Sequence, residues 1–127
     1  MPDHVVICVD DEPILLLALR QQLRSKLGPG WRCETATSAE SALALIDELR
    51  AEGHSISAVV SDWLMPGMKG DEFLRKVNAG ALAERLILLT GYAERDQVAA
   101  LEADVPLAAT FEKPCDARAL AAAIVRN

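Results

Sequence analysis

Five short strand-like stretches, the second weaker than the rest, alternate along the chain with five of helical periodicity, and this alternation constrains the fold more than any other feature. His4 to Val9, Trp31 to Ala36, Ile56 to Ser61, Leu86 to Thr90 and Leu107 to Phe111 read as strands. The first helix opens at Pro13, where a first turn accepts proline, and stops at Gly28-Pro29-Gly30. The second follows a Thr37-Ser38-Ala39-Glu40 capping box and ends at Gly53. The third carries Asp71 and Glu72 in its first turn and runs out near Asn78-Ala79-Gly80. The fourth spans roughly Glu94 to Ala103, and Asp116 caps the fifth. Unbroken apolar runs in strands one, three and four fit burial on two faces, so the fold class expected is doubly wound α/β with a parallel sheet. Right-handed crossovers then bring every strand C-terminus to one edge.

Helical spacing also names the inner faces. Leu15, Leu19, Leu23 and Leu27 form the stripe expected for the first helix, and Ala42, Leu43, Ile46 and Leu49 that of the second. Phe73, Leu74 and Val77 serve the third, and Leu120, Ala121, Ile124 and Val125 the fifth. The fourth has only Val98 and Leu101 as large apolar residues.

A chain of 127 residues, 51% of them apolar, suffices for one domain with a substantial core, here taken as residues 1–127. No apolar run is long enough to span a bilayer, and the start lacks the pattern of a signal peptide, so a cytoplasmic location is expected, away from membranes. The net charge of −6 and the scattered basic residues argue against direct nucleic-acid binding, and 4% aromatic content offers no stacking platform. Cys8, Cys33 and Cys115 fit neither a disulfide framework nor a zinc pattern and read as reduced and structural.

The shared edge gathers Asp10 and Asp11 after strand one, Asp62 after strand three, Thr90 after strand four and Lys113 after strand five. Singly each has a bland reading: Asp10 or Asp11 caps the helix at Pro13, Asp62 forms a turn before Pro66-Gly67, Thr90 is a strand residue, and Lys113 is a solvated charge. At successive strand ends they read together as a site. Three neighbouring carboxylates repel and call for a cation, and oxygen ligands with room for water suit magnesium. A carboxylate beside a metal, an ammonium and a hydroxyl can receive a phosphoryl group, with Asp62 as nucleophile.

In order and spacing, Val9-Asp10-Asp11-Glu12, Asp62 to Gly70, Leu88-Leu89-Thr90-Gly91 and Lys113-Pro114 resemble the receiver domain of bacterial two-component response regulators. The resemblance implies a flavodoxin-like (βα)5 fold with strand order 2-1-3-4-5. It implies that Asp62 takes a phosphoryl group from a phosphohistidine on a histidine kinase or phosphotransfer protein. Asp11 and Asp62 would bind magnesium directly, Asp10 through water, and the main-chain carbonyl of Leu64 would complete the protein ligands. Thr90 and Lys113 would contact the phosphoryl group, and the Lys113-Pro114 bond would be cis. Such a domain is a switch that takes part in its own phosphorylation, not a turnover enzyme. It acts on an effector that the sequence does not identify, and a homodimer is one form it can take.

The chain departs from the family three positions before the lysine, where an aromatic residue is common and Thr110 stands here. Phe111 points to the opposite face of its strand and cannot substitute. Readout would then pass through Tyr92, or coupling would be weak. Leu64 and Tyr92 flank the expected phosphoryl site and would slow its loss to water. Two other functions compete: an aspartate-nucleophile phosphatase, which would typically carry an Asp-x-Asp on strand one where this chain has Asp10-Asp11-Glu12, and a receiver-shaped binding module that is never phosphorylated. With no effector after the last helix, the chain reads as a stand-alone regulator or, slightly better, a piece of a longer protein. The fourth helix and last strand are the partner surface expected.

Overall fold

The computed structural model describes residues 4–91 and 95–125. In chain order the elements are β1 (His4–Val9), α1 (Pro13–Leu27), β2 (Trp31–Ala36), α2 (Ala39–Ala51), β3 (Ala58–Asp62), α3 (Gly70–Ala79), β4 (Arg85–Thr90), α4 (Arg95–Asp104), β5 (Ala109–Glu112) and α5 (Ala117–Val125). The five strands form one sheet in the order β2-β1-β3-β4-β5. All pairings are parallel. The flavodoxin-like order implied by the sequence resemblance is the one observed. Its register sets the site: Val9 lies opposite Ser61, Asp62 opposite Leu89, and Thr90 opposite Glu112.

Side chains alternate across the sheet and divide the core in two. Val5, Ile7, Val9, Val59 and Leu88 pack with Ile46, Phe73, Leu74 and Leu101 on the side of α2, α3 and α4. Val6, Cys8, Val60, Ile87 and Leu89 pack with Leu16, Leu23, Leu120 and Ile124 on the side of α1 and α5. Both faces are covered, which is why β1, β3 and β4 read as continuous apolar runs.

Local details differ from the sequence expectation. In α1 the buried residues are Leu16 and Leu23, with Leu19 and Leu27 half-buried, while Leu15 stays 45% exposed. A strict spacing of four drifts about 40° per step around a helix of 3.6 residues per turn, so Leu15 cannot share a face with Leu27. The cap of α2 is Ser38 and not Thr37: the Ser38 Oγ accepts the Ser41 N–H at 3.0 Å. Glu40 leaves the capping arrangement and its Oε2 accepts the Met68 N–H at 3.3 Å, tying α2 to the loop after β3. β3 and β5 each begin two residues later than their apolar runs, and Val125 is exposed. Asp116 caps α5 as expected, its Oδ1 accepting the Arg118 N–H at 3.1 Å.

Candidate phosphoacceptor site

At the C-terminal edge of the sheet the carboxylates of Asp10, Asp11 and Asp62 bring one oxygen each to within 4.8 Å of one another. β1 delivers Asp10 and Asp11, and β3 delivers Asp62 as its last residue. Asp10 and Asp62 are buried, whereas Asp11 is exposed. The Asp10 Oδ1 accepts the Glu12 N–H at 3.0 Å in a local turn, but Asp10 does not cap α1, whose N-cap is Glu12 with no side-chain cap bond. Its other oxygen lies 3.0 Å from the Lys113 Nζ. Asp62 is held likewise from both sides: its Oδ1 accepts the Trp63 N–H at 2.9 Å, and its Oδ2 lies 3.2 Å from the Lys113 Nζ.

Burial pushes the Asp62 carboxyl above its ordinary range, and the Asp10 charge adds to that push. The ammonium of Lys113 and the Trp63 N–H oppose it without cancelling it. Burial by itself would lower Lys113, but hydrogen bonds and attraction from Asp10 and Asp62 carry its ammonium above the usual value. A single ammonium thus serves two buried carboxylates while a third stands beside them. The set has more negative charge than its own cation neutralises, and its oxygen donors fit a hard divalent ion such as magnesium.

Thr90 is buried at the end of β4, and its Oγ1 donates to the Gly91 carbonyl at 3.1 Å. The Thr90 carbonyl accepts the Lys113 N–H at 2.9 Å, which fixes β4 and β5 relative to each other beside the acids. The Lys113-Pro114 peptide bond is cis. Leu64, two residues past Asp62, has a side chain 55% exposed. Thr110 turns toward α4 and its Oγ1 donates to the Glu102 Oε2 at 3.4 Å, while Phe111 packs on the α1 and α5 side. Thr90, Gly91, Val98 and Thr110 line a small cavity of 220 Å³. Tyr92 lies outside the described residues.

Two residues of the site were not singled out by sequence reasoning. A Cβ on Gly70 would stand 2.3 Å from the Asp62 carbonyl oxygen and 2.9 Å from the Trp63 Cα, so α3 can begin there only with glycine. Ser61, fully buried, donates its Oγ to the Asp62 carbonyl at 2.8 Å. A lone hydroxyl inside Val59-Val60-Ser61-Asp62 was the available signal for it.

Beside the acids runs a groove of 470 Å³ between α1 and the segment after β5, lined by Asp10, Leu15, Leu19, Lys113, Pro114 and Cys115. Ile14 and Leu17, 82% and 55% exposed, are further apolar side chains on α1, outside the lining of that groove. Among the described residues, exposed large apolar side chains thus gather on α1, not on α4 or β5, where the partner surface was expected.

A parallel 2-1-3-4-5 sheet with an acid cluster and a lysine at its C-terminal edge defines a receiver-type molecule. Residues 6–125 match the family model described as the response regulator receiver domain, and the chain belongs to that family. A receiver domain protein of Clostridium thermocellum superposes with a TM-score of 0.79 at 25% identity, covering 95% of this chain and 90% of that one. A CheY-like receiver domain protein of Methanospirillum hungatei gives 0.76 at 27% identity, with 94% and 88% covered. The virulence sensor protein BvgS of Bordetella bronchiseptica is 40% identical over 78 residues, which is 61% of this chain. The sensor kinase CckA of Brucella abortus is 33% identical over 89 residues, or 70% of this chain. The matched stretches span 6% and 9% of the length of those two relatives. Among the described residues no helix is long and apolar enough to cross a membrane.

Proposed function

We propose that the chain is a phosphoacceptor switch in a bacterial, cytoplasmic two-component pathway, acting as a single receiver domain in which Asp62 accepts a phosphoryl group from a phosphohistidine. The observation that carries this reading is the meeting of Asp10, Asp11 and Asp62 with Lys113 at one strand edge. An oxygen of Asp62 attacks phosphorus, the phosphorus–nitrogen bond breaks, and its electron pair returns to the partner's imidazole. Lys113 is placed to meet the charge on the transferring oxygens, and Thr90 to donate a hydrogen bond once its hydroxyl leaves the Gly91 carbonyl.

Magnesium, held by Asp11 and Asp62, by Asp10 through water and by the Leu64 carbonyl, would supply positive charge to the phosphoryl oxygens. The raised titration of Asp62, caused first by burial and then by the Asp10 charge, is the strain that such an ion would relieve. Leu64, two residues past Asp62 and exposed, is the residue placed to slow attack by water, so Leu64→Asn shortens the lifetime of the phosphorylated form.

A histidine-bearing donor has to reach a pocket flanked by the α1 groove, and the exposed apolar side chains of α1, Ile14 and Leu17 among them, give that donor a surface to cover. The product is a state to be read by an effector or partner, so the protein signals and does not turn over substrate. The deciding experiment is incubation with magnesium and a small acyl phosphate, followed by intact mass. The expected result is a gain of one phosphoryl group that is lost in Asp62→Asn and in chelator. Release of free phosphate from a generic ester over many cycles would instead favour a phosphatase, and no gain with any donor a binding module.

A further inference from the structure

Asp62 sits at the point where β3 becomes a loop, and its carboxylate has one backbone donor, the Trp63 N–H, at 2.9 Å. That N–H belongs to the same planar peptide unit as the Asp62 carbonyl. The carbonyl end of the plane accepts the Ser61 Oγ at 2.8 Å and packs against the Cα of Gly70, while the N–H end is shared with the Leu89 carbonyl at 3.1 Å. Turning the plane about its long axis would take the N–H away from the Asp62 Oδ1 and the carbonyl away from Ser61 together. Ser61 is 0% exposed and stands between Val59 and Trp63 on one face of the sheet, both members of the apolar cluster under α2 and α3. A hydroxyl is costly in such surroundings unless it is hydrogen-bonded.

We propose that Ser61 is a positioning residue for the phosphoacceptor: its hydroxyl sets the 62–63 peptide plane, and the N–H of that plane sets the Asp62 carboxylate. The assignment rests on the phosphoacceptor reading above and deepens it. Ser61 touches neither the phosphoryl donor nor the reacting atoms. It acts through one peptide group, and the carboxylate rotamer that faces Lys113 is its product.

The test is Ser61→Ala, with Ser57→Ala as a control for removing a buried hydroxyl from the segment at the opposite end of β3. Two quantities are read in the full chain: the rate of mass gain from a small acyl phosphate at saturating magnesium, and the backbone amide resonance and hydrogen exchange of Trp63. In Ser61→Ala the rate is expected to fall at least about five-fold, since small misplacements of a reacting group are costly. The Trp63 amide proton is expected to move upfield and to exchange faster, while the Ser57→Ala protein matches wild type in both readouts. A Ser61→Ala protein within two-fold of wild type in rate, with an unmoved Trp63 amide, overturns the assignment. Equal slowing in Ser57→Ala also overturns it, because the effect is then general loosening. Failure of the wild type itself to gain a phosphoryl group sinks the functional reading instead, and the Trp63 resonance still reports whether Ser61 governs the peptide.

Discussion

The Lys113 Nζ stands 3.2 Å from the Asp62 Oδ2, yet the Asp62 carboxyl titrates above its ordinary value of 3.8. The ammonium is shared with Asp10, and burial together with the Asp10 charge outweighs its help. A carboxyl raised on folding binds more protons in the folded than in the unfolded chain, so its ionisation costs stability as pH rises from about 4. The metal-free protein should therefore be stabilised by Asp62→Asn at pH 7, seen as a higher melting temperature. Thermal melts in chelator at pH 7 and pH 3.5 check this, and the difference should vanish at the lower pH. Magnesium should raise the melting temperature of the wild type and do so less for the variant.

Gly70 opens α3, where alanine would ordinarily be favoured over glycine by up to about 1 kcal/mol. Here the added Cβ meets the Asp62 carbonyl at 2.3 Å. The Gly70→Ala substitution should destabilise by about 1–3 kcal/mol and slow phosphorylation, as the β3–α3 loop is pushed out of place. Urea melts and the acyl phosphate assay read both effects.

Ile14 and Leu17 are exposed on α1 and contribute nothing to either core cluster. Ile14→Asp and Leu17→Asp should stay within about 0.5 kcal/mol of wild type in stability and accept phosphate from a small donor at an unchanged rate. Transfer from a phosphorylated histidine protein should fall about ten-fold or more, because a charge placed in an apolar contact has to be desolvated. Equal rates from both kinds of donor would move the docking surface elsewhere.

The Cys8 thiol is fully buried and pushed up to about 12 by burial and the neighbouring Cys33, which is itself buried and raised. Cys115 is raised too, but it is half-exposed beside the groove. At pH 8 a maleimide should add one label to the native protein, slowly and at Cys115, and three after unfolding. Peptide mapping of the labelled chain checks the position.

Much of this architecture was legible in the residue pattern. Continuous apolar runs mark β1, β3 and β4 because a sheet covered on both faces leaves no polar alternation to blur them. Asp10, Asp11, Asp62 and Thr90 were legible because they stand at the ends of such runs, and Lys113 because it comes just after the last strand. The phase of α1 was not, since Leu15, Leu16 and Leu17 are chemically alike and only packing against β1 and α5 selects Leu16. Thr37 and Ser38 are equally good caps by chemistry, and the choice of Ser38 freed Glu40 for the loop at Met68. The roles of Ser61 and Gly70 depend on one carbonyl oxygen, and local propensity carries no information about so specific a meeting.

The bond from Lys113 to Asp10 joins positions 103 residues apart, across a sheet whose middle strand is β3, flanked by β1 and β4. A fragment that ends before Lys113 lacks the ammonium that pairs with Asp10 and Asp62. On the ribosome, Asp10 and Asp62 are made before the lysine that pairs with both, so those two ion pairs form only after residue 113 has been added.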